Sequence, residues 1–212
     1  NVSLMAGTSA QWNKYDYMSG EKADFLFDSV NQMNNGQTMK DISGSMSEWS
    51  LFSVMARANY SYADRYLITA TVRHDGSSRF GKNNRWGVFG AVGFMWNLRN
   101  ENFMAGTRDW LTMSQVAFSS GTSGNSEIPN YEHLALIGGG SDYIGDAGVA
   151  PIQPGNEDLT WENTWTTNLA FHFGFWNRLN LDLEFYNKKT TDMLMSVPLA
   201  YSQSNGYGYK WD

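Results

Sequence analysis

The sequence contains no cysteine, only four prolines and no long hydrophobic run. Without cysteine, the chain can form neither a disulfide framework nor a thiolate metal site. The longest apolar stretch, from Trp86 to Leu98, is broken by glycines and is shorter than the roughly 18 residues that a transmembrane helix requires. These absences exclude a disulfide-stapled scaffold and a helical membrane span.

Charge is also scarce. Charged residues make up 17% of the 212 residues and the formal net charge is −6, whereas soluble domains contain about 25% charged residues. A negative net charge without any basic stretch excludes nucleic acid as a main partner. Low charge is expected when a large surface contacts lipid, and a membrane protein without helical spans must be a closed β-barrel.

The sequence instead shows a two-residue alternation of apolar and polar side chains. In the first strand, Val2, Leu4 and Ala6 alternate with Ser3 and Gly7. A period of two places every other side chain on one face of a β-strand. The chain is therefore predicted to be all-β, with one nearly uncharged face that is rich in aromatic residues.

The alternation predicts seven strands, at about 1–13, 49–62, 66–75, 85–97, 111–121, 165–173 and 179–186. Tight turns at 63–65 and 176–177 and long polar segments at about 14–48, 76–84 and 122–162 join them, the first segment with a short helix near 25–33. Long loops outside the cell and short turns on the periplasmic side are typical of outer-membrane barrels. We therefore expect the three long segments to be extracellular loops.

Polar and charged side chains fall on the face opposite the aromatic one. A lysine or arginine at mid-membrane on a lipid face would cost roughly 2–4 kcal/mol, whereas a water-filled interior accepts charge. The residues predicted to face such an interior are Arg57, Arg73, Asp75, His172, Asp182 and Glu184. The fold prediction is an antiparallel, up-and-down transmembrane β-barrel segment, because single-chain bacterial barrels have an even number of strands, from eight upward.

Two other classes of protein also fit the alternation. A soluble β-sandwich would bury the apolar face under a second sheet and would bind glycans through its loops. A small barrel enzyme would need a Ser–His–Asp set at one site, and no spacing in the sequence indicates one. His74, His133 and His172 are too far apart to indicate a metal site, so no metal and no cofactor are predicted.

One stretch carries a family resemblance. Residues Tyr66 to Trp86, YLITATVRHDGSSRFGKNNRW, resemble a segment of the SusC/RagA-type TonB-dependent outer-membrane transporters. Three further segments resemble that family in the same order: Asn59–Tyr62, Gly121–Asn125, and the run from Asp158–Glu162 to Phe185–Asp192. The fifth strand departs from the family, because Gln115 and Ala117 stand where basic residues are usual.

The resemblance implies a barrel of 22 strands, closed by an N-terminal plug domain and preceded by a segment that contacts TonB. Residues 1–212 contain neither, so they correspond to about seven strands of a partial barrel domain. The resemblance further implies a place in the bacterial outer membrane, with its lipid around the barrel and a SusD-like surface lipoprotein as an extracellular lid. It implies import of oligosaccharides or peptides, with TonB acting through the missing N-terminal part, and no enzymatic activity.

Four loop residues are candidates for contact with substrate or lid. Arg79 lies in the DGSSRFG motif, and Tyr131, Tyr143 and Trp161 lie on the longest loop. The alternative interpretation of DGSSRFG is an ordinary turn, in which Asp, Gly and Ser bond to the local backbone. The loop aromatics have a similar alternative, because they can simply pack the loop.

Overall fold

The computed structural model describes residues 1–27, 29, 32–139, 144, 146, 148–199 and 209–212. The strands are β1 (Val2–Phe25), β2 (Gly36–Tyr62), β3 (Tyr66–Ser77), β4 (Trp86–Asn97), β5 (Leu111–Asn125), β6 (Leu136–Gly139), β7 (Val149–Gln153), β8 (Glu162–Phe175), β9 (Leu179–Thr191), β10 (Ser196–Pro198) and β11 (Tyr209–Trp211). Short 3-10 turns cover Met33–Asn35, Leu98–Asn100 and Asn102–Thr107. Within the described residues, no helix has the length and apolar character to cross a membrane.

Seven strands form one antiparallel sheet in the order β1-β2-β3-β4-β5-β8-β9, as the sequence predicts for a section of an up-and-down barrel. β6 with β7 and β10 with β11 form two small hairpins apart from this sheet. The turn residues Ala63 and Asp64 have φ of 52° and 51°, and Trp176 and Asn177 have φ of 51° and 53°. Two successive positive φ values are typical of the type I′ turn, whose twist matches that of the flanking strands.

The register of the sheet places apolar side chains side by side on one face. One row crosses all seven strands: Val2, Tyr60, Ile68, Phe94, Phe118, Leu169 and Phe185. Every side chain in this row is at least 37% exposed. Nothing in the described part of the chain covers this face, so the soluble β-sandwich interpretation is wrong.

Aromatic side chains mark both ends of the apolar face. Tyr62, Tyr66 and Trp96 pair in one row, and Phe52 and Trp86 lie in a parallel row at the other end. Trp86 and Trp96 are ten residues apart on β4, which corresponds to about 33 Å along a strand. A strand tilt of about 40° reduces this to about 25 Å, the height of the apolar band of outer-membrane barrels.

The predicted loop over 14–48 is wrong for most of its length. β1 continues to Phe25 and β2 begins at Gly36, and the two pair from Lys14 opposite Glu48 to Phe25 opposite Gly36. The helix expected near 25–33 is replaced by the 3-10 turn Met33–Asn35, while residues 28, 30 and 31 lie outside the described part. Beyond the aromatic row both faces of the hairpin are exposed, so the strands continue without an apolar period.

The other two predicted loops also contain strand. β3 continues to Ser77, so the segment predicted at 76–84 starts slightly later. β5 continues to Asn125, β8 begins at Glu162, and the hairpin of β6 and β7 lies between them. The observed strand ends are set by pairing with neighbouring strands, which the sequence alone does not reveal.

A small hydrophobic core lies on the charged face, at the end where the long connections are. Its buried members are Phe80, Phe89, Ile128, Leu159 and Trp161. We call residues 78–85 and the described residues of 126–161 the cap, because their apolar side chains pack onto Phe89 of β4. The Trp161 ring lies 5.2 Å from that of Phe80 and 5.4 Å from that of Phe89, so the cap is held to the sheet by aromatic contacts.

Gly124→Ala is expected to loosen the cap, because a Cβ at this position would overlap the Phe89 ring. Overpacking of this kind costs about 1–3 kcal/mol. The measurement is hydrogen exchange in residues 126–139 of the full receptor, which should become faster. Gly106→Ala is the matched control, because a Cβ there meets nothing within 4 Å. Equal exchange in both variants and the wild type would contradict this account of the core.

Candidate functional site

The predicted interior residues share the face opposite the apolar rows. Arg73 pairs with Met55, Asp75 with Ser53 and Arg57 with Thr71. On the same face, near the β9 edge of the sheet, His172 pairs with Asp182 and Ala170 with Glu184. The sheet therefore has one apolar, uncovered face and one face that carries these polar and charged groups.

Arg73 and Asp75 form an ion pair along β3. The Arg73 Nε donates to both carboxylate oxygens of Asp75 at 2.9 Å, and its Nη2 donates to the Ser53 Oγ at 3.0 Å. Ser53 and Asp75 are buried, whereas the Arg73 side chain is 43% exposed. Asp75 and Ser53 thus hold one edge of the guanidinium group and leave the rest open to a ligand.

This ion pair lies in a pocket beneath the cap. The pocket has a volume of about 450 Å³ and is lined by residues that include Arg73, Asp75, Phe89, Asn125, Glu127 and Trp161. We call it the inner pocket. Charged groups of both signs beside buried aromatic rings give it the mixed lining that is typical of ligand pockets.

His172, Asp182 and Glu184 form a second cluster of polar side chains on this face, near the β9 edge of the sheet. The His172 Nδ1 and the Asp182 Oδ1 are 2.6 Å apart, and both side chains are partly exposed. Two strands, β4 and β5, separate the strands of these residues from β2 and β3 in the sheet order. The predicted interior residues therefore lie on one face but do not form a single site.

Arg79 braces the cap. Its Nε donates to the Asn130 Oδ1 and its Nη1 to the Ser126 carbonyl oxygen, both at 3.1 Å. Its guanidinium carbon lies 4.8 Å from the centre of the Trp49 ring, a cation–π distance. These contacts favour the interpretation of DGSSRFG as a structural turn.

Trp161 belongs to the core and also borders the inner pocket. Its side chain is 7% exposed and its Nε1 donates to the Arg85 carbonyl oxygen. Phe80 and Phe89 pack against that ring, and its contact with substrate stays a prediction. Tyr143 lies outside the described residues.

Tyr131 lies in a second concavity, which we call the rim groove. The groove has a volume of about 530 Å³, and its lining includes Trp12, Lys14, Glu48, Trp49, Tyr131 and His133. The Tyr131 hydroxyl accepts a hydrogen bond from the Glu48 backbone N–H at 2.9 Å. Its φ of 71° is uncommon for a bulky residue and costs energy, so the surrounding contacts hold it in place.

Sequence reasoning missed Phe89 and Glu127 in the inner pocket and Trp49 in the rim groove. Each reaches its pocket through contacts between segments that are distant in sequence. The alternation places Phe89 between the outward-facing Val88 and Gly90. An aromatic residue on the polar face is therefore the sequence signal that could have indicated a place in the pocket. Among the described residues, no group of three or more acidic or histidine side chains is arranged to hold a metal ion.

Glu132, next to Tyr131, makes the stability of the cap depend on pH. The side chain is buried, and this burial raises its pKa above the ordinary value of 4.5. The folded state therefore binds the proton more tightly than the unfolded state. The contribution of the Glu132 carboxyl to the stability of the folded state is complete below about pH 4.5 and is lost as the pH rises through the raised pKa.

Glu132→Gln is therefore expected to slow opening of the cap at pH 7, because it removes a buried charge, and to have no effect near pH 3.5. Hydrogen exchange of residues 126–139 in the full receptor measures this difference. Glu157→Gln, at an exposed position, is the control and should leave exchange unchanged at both pH values. Faster exchange in Glu132→Gln at pH 7 would show that the charged carboxylate has a stabilising partner.

The chain matches a known family over nearly its whole length. The family model described as TonB dependent receptor-like, beta-barrel, matches residues 2–210. A TonB-dependent receptor of Formosa agariphila is 36% identical over 209 residues, which is 97% of this chain and 20% of that protein. The TonB-dependent receptor SusC of Bacteroides thetaiotaomicron is 34% identical over 92% of this chain and 20% of its own length.

Solved structures give the same result. The RagAB peptide importer in its closed-closed state matches with a TM-score of 0.91 and 30% identity, over all of this chain and 23% of that one. Its open-open state matches with a TM-score of 0.82. The chain spans about one fifth of the curated relatives that it matches, and these relatives are receptors and transporters rather than enzymes. The chain belongs to the TonB-dependent receptor-like β-barrels of the bacterial outer membrane and forms part of the barrel wall.

Proposed function

We propose that this chain supplies wall, lumen lining and extracellular loops to a SusC-like importer that carries oligosaccharides or peptides across the outer membrane. The observation that carries the proposal is the contrast between the two faces of one sheet. The apolar face is uncovered over seven strands, and the opposite face holds the ion pair of Arg73 and Asp75. Lipid on one side and water with cargo on the other account for both faces.

The cap gives the proposed path a direction. It closes over the charged face at the end of the long connections, and the type I′ turns lie at the other end. Because long loops are extracellular in outer-membrane barrels, cargo would meet the cap and the rim groove first. It would then pass along a lumen lined by Arg57, Arg73, Asp75, His172, Asp182 and Glu184.

The proposed partners act at the two ends of this path. A SusD-like surface lipoprotein would cover the extracellular side, and TonB would pull on an N-terminal part outside this chain. The RagAB relative is a peptide importer, which supports peptides beside oligosaccharides as cargo. Tyr131 in the rim groove and Tyr143 stay as proposed contacts of the lid or the cargo. No covalent chemistry and no cofactor are needed for such transport.

The test is uptake by cells that lack the receptor and carry wild-type or variant copies of the full gene. The double variant Arg73→Met and Asp75→Asn removes both charges of the ion pair in the inner pocket without leaving either buried and unpaired. We expect uptake of fluorescent oligosaccharide or peptide pools to fall about tenfold, because one or two charge-assisted hydrogen bonds to cargo are lost.

Arg178→Met is the control, because Arg178 is exposed in the turn between β8 and β9 and lies away from the inner pocket. Its uptake should equal that of the wild type at equal surface expression. Wild-type uptake no greater than that of receptor-deficient cells for every pool would refute an import function. Unchanged uptake in the double variant would refute the role of the inner pocket alone.

A further inference from the structure

The hairpin of β1 and β2 is much longer than a membrane crossing requires. The two strands have 24 and 27 residues, whereas a tilted transmembrane strand needs about 9–11. The pairing continues beyond Trp12 for about twelve residues, which extends the hairpin by about 40 Å. This projecting part lies beyond the aromatic row of Phe52 and Trp86, on the side of the cap.

The two faces of the projecting hairpin differ in chemistry. The face continuous with Arg73 and Asp75 presents eight uncharged residues in four cross-strand rows. Six of them form what we call the Tyr–Ser strip: Tyr15, Tyr17, Ser43, Ser45, Ser47 and Trp49. In register, Tyr15 lies opposite Ser47 and Tyr17 opposite Ser45. The opposite face carries Met18, Ile42 and Met46. The charged side chains of that opposite face lie closer to the barrel wall.

The tyrosine rings of the strip are open to solvent. Tyr15 is 57% and Tyr17 is 49% exposed, and their cross-strand partners are serines too small to cover a ring. Tyrosine and serine together provide rigid aromatic area and adaptable hydrogen bonding, the combination used in antibody recognition loops. Exposed tyrosine rings beside serine hydroxyls are therefore suited to bind a ligand.

Hydrogen bonds hold two serine hydroxyl groups of the strip in place. The Ser43 Oγ lies 2.7 Å from the Ser19 Oγ, and the Ser47 Oγ accepts a hydrogen bond from the Asn130 Nδ2 of the cap. At the base of the strip, Arg79 occupies one face of Trp49. A preorganised surface loses less entropy when a ligand binds.

The charges around the strip restrict the class of ligand. Its four cross-strand rows from Trp49 to Ser43 contain no ionisable acid or base apart from the two phenols, and the next row toward the tip pairs Glu21 with Asp41. An acidic ligand would be repelled by that pair, and a charged peptide would find no ionic partner in these four rows. The cation at their base, Arg79, is already engaged by Asn130, Ser126 and the Trp49 ring. Phenol and indole faces with serine hydroxyls match the C–H faces and hydroxyl edges of sugar rings.

We propose that the Tyr–Ser strip binds a neutral oligosaccharide and delivers it to the charged face of the barrel. This inference rests on the proposed import function and names the substrate class for it. The strip lies above the membrane and shares its face with the lumen lining, so a bound chain could move inward without crossing the sheet.

The experiment uses the purified full receptor in detergent and an array of neutral and acidic oligosaccharides, followed by calorimetric titration with the neutral glycan of highest signal. The double variant Tyr15→Ala and Tyr17→Ala should bind that glycan at least tenfold more weakly, as expected for loss of aromatic anchors. Met46→Ala, on the opposite face of the same hairpin and 61% exposed, should bind like the wild type. Hydrogen exchange of β1 and β2 checks that the hairpin stays formed in both variants.

Three results would overturn the inference: no neutral glycan bound by the wild type, unchanged affinity in the tyrosine double variant, or an equal loss in Met46→Ala. The failure of the strip and the failure of the import function are distinguishable by uptake in cells. Uptake by the wild type that the double variant retains would refute the strip and leave import intact. Absence of uptake by the wild type would refute import itself.

Discussion

The structure depends on one constraint of the hydrocarbon layer, in which every backbone N–H and C=O group must find a partner within the protein. Antiparallel pairing in the order β1-β2-β3-β4-β5-β8-β9 meets this requirement for the five inner strands, and the outer edges of β1 and β9 need neighbouring strands from the rest of the barrel. The same constraint forces the side chains to divide by face, because lipid rejects charge and water accepts it. The row from Val2 to Phe185 and the ion pair of Arg73 and Asp75 are two results of that division.

The sequence predicted the strands well wherever lipid contacts one face. From Phe52 to Trp96 the alternation is strong, and the predicted and observed strand ends differ by about two residues. Beyond Trp12 both faces of the hairpin meet water, so no apolar period remains and the strand was predicted to be a loop. The alternation also placed Arg57, Arg73, Asp75, His172, Asp182 and Glu184 on one face, and the register agrees with this.

The sites were harder to predict because they depend on contacts between distant segments. Trp161 lies on a long polar segment, and only its packing against Phe80 and Phe89 shows that it is a core residue. Arg79 belongs to a conspicuous motif, yet its partners Ser126 and Asn130 are about 50 residues away. Local patterns thus indicate on which face a side chain lies, whereas packing of the cap determines which side chains remain exposed.

Spin labelling along β3 measures directly whether lipid contacts the apolar face. Single cysteines at residues 67 to 72 of the full receptor, freed of any other cysteine and reconstituted in vesicles, would each carry one nitroxide; this chain contributes no cysteine of its own. If lipid contacts this face, labels at 68, 70 and 72 are relaxed by oxygen and shielded from a water-soluble nickel complex, while labels at 67, 69 and 71 show the reverse. Nickel accessibility at 68, 70 and 72, or no alternation at all, would contradict it.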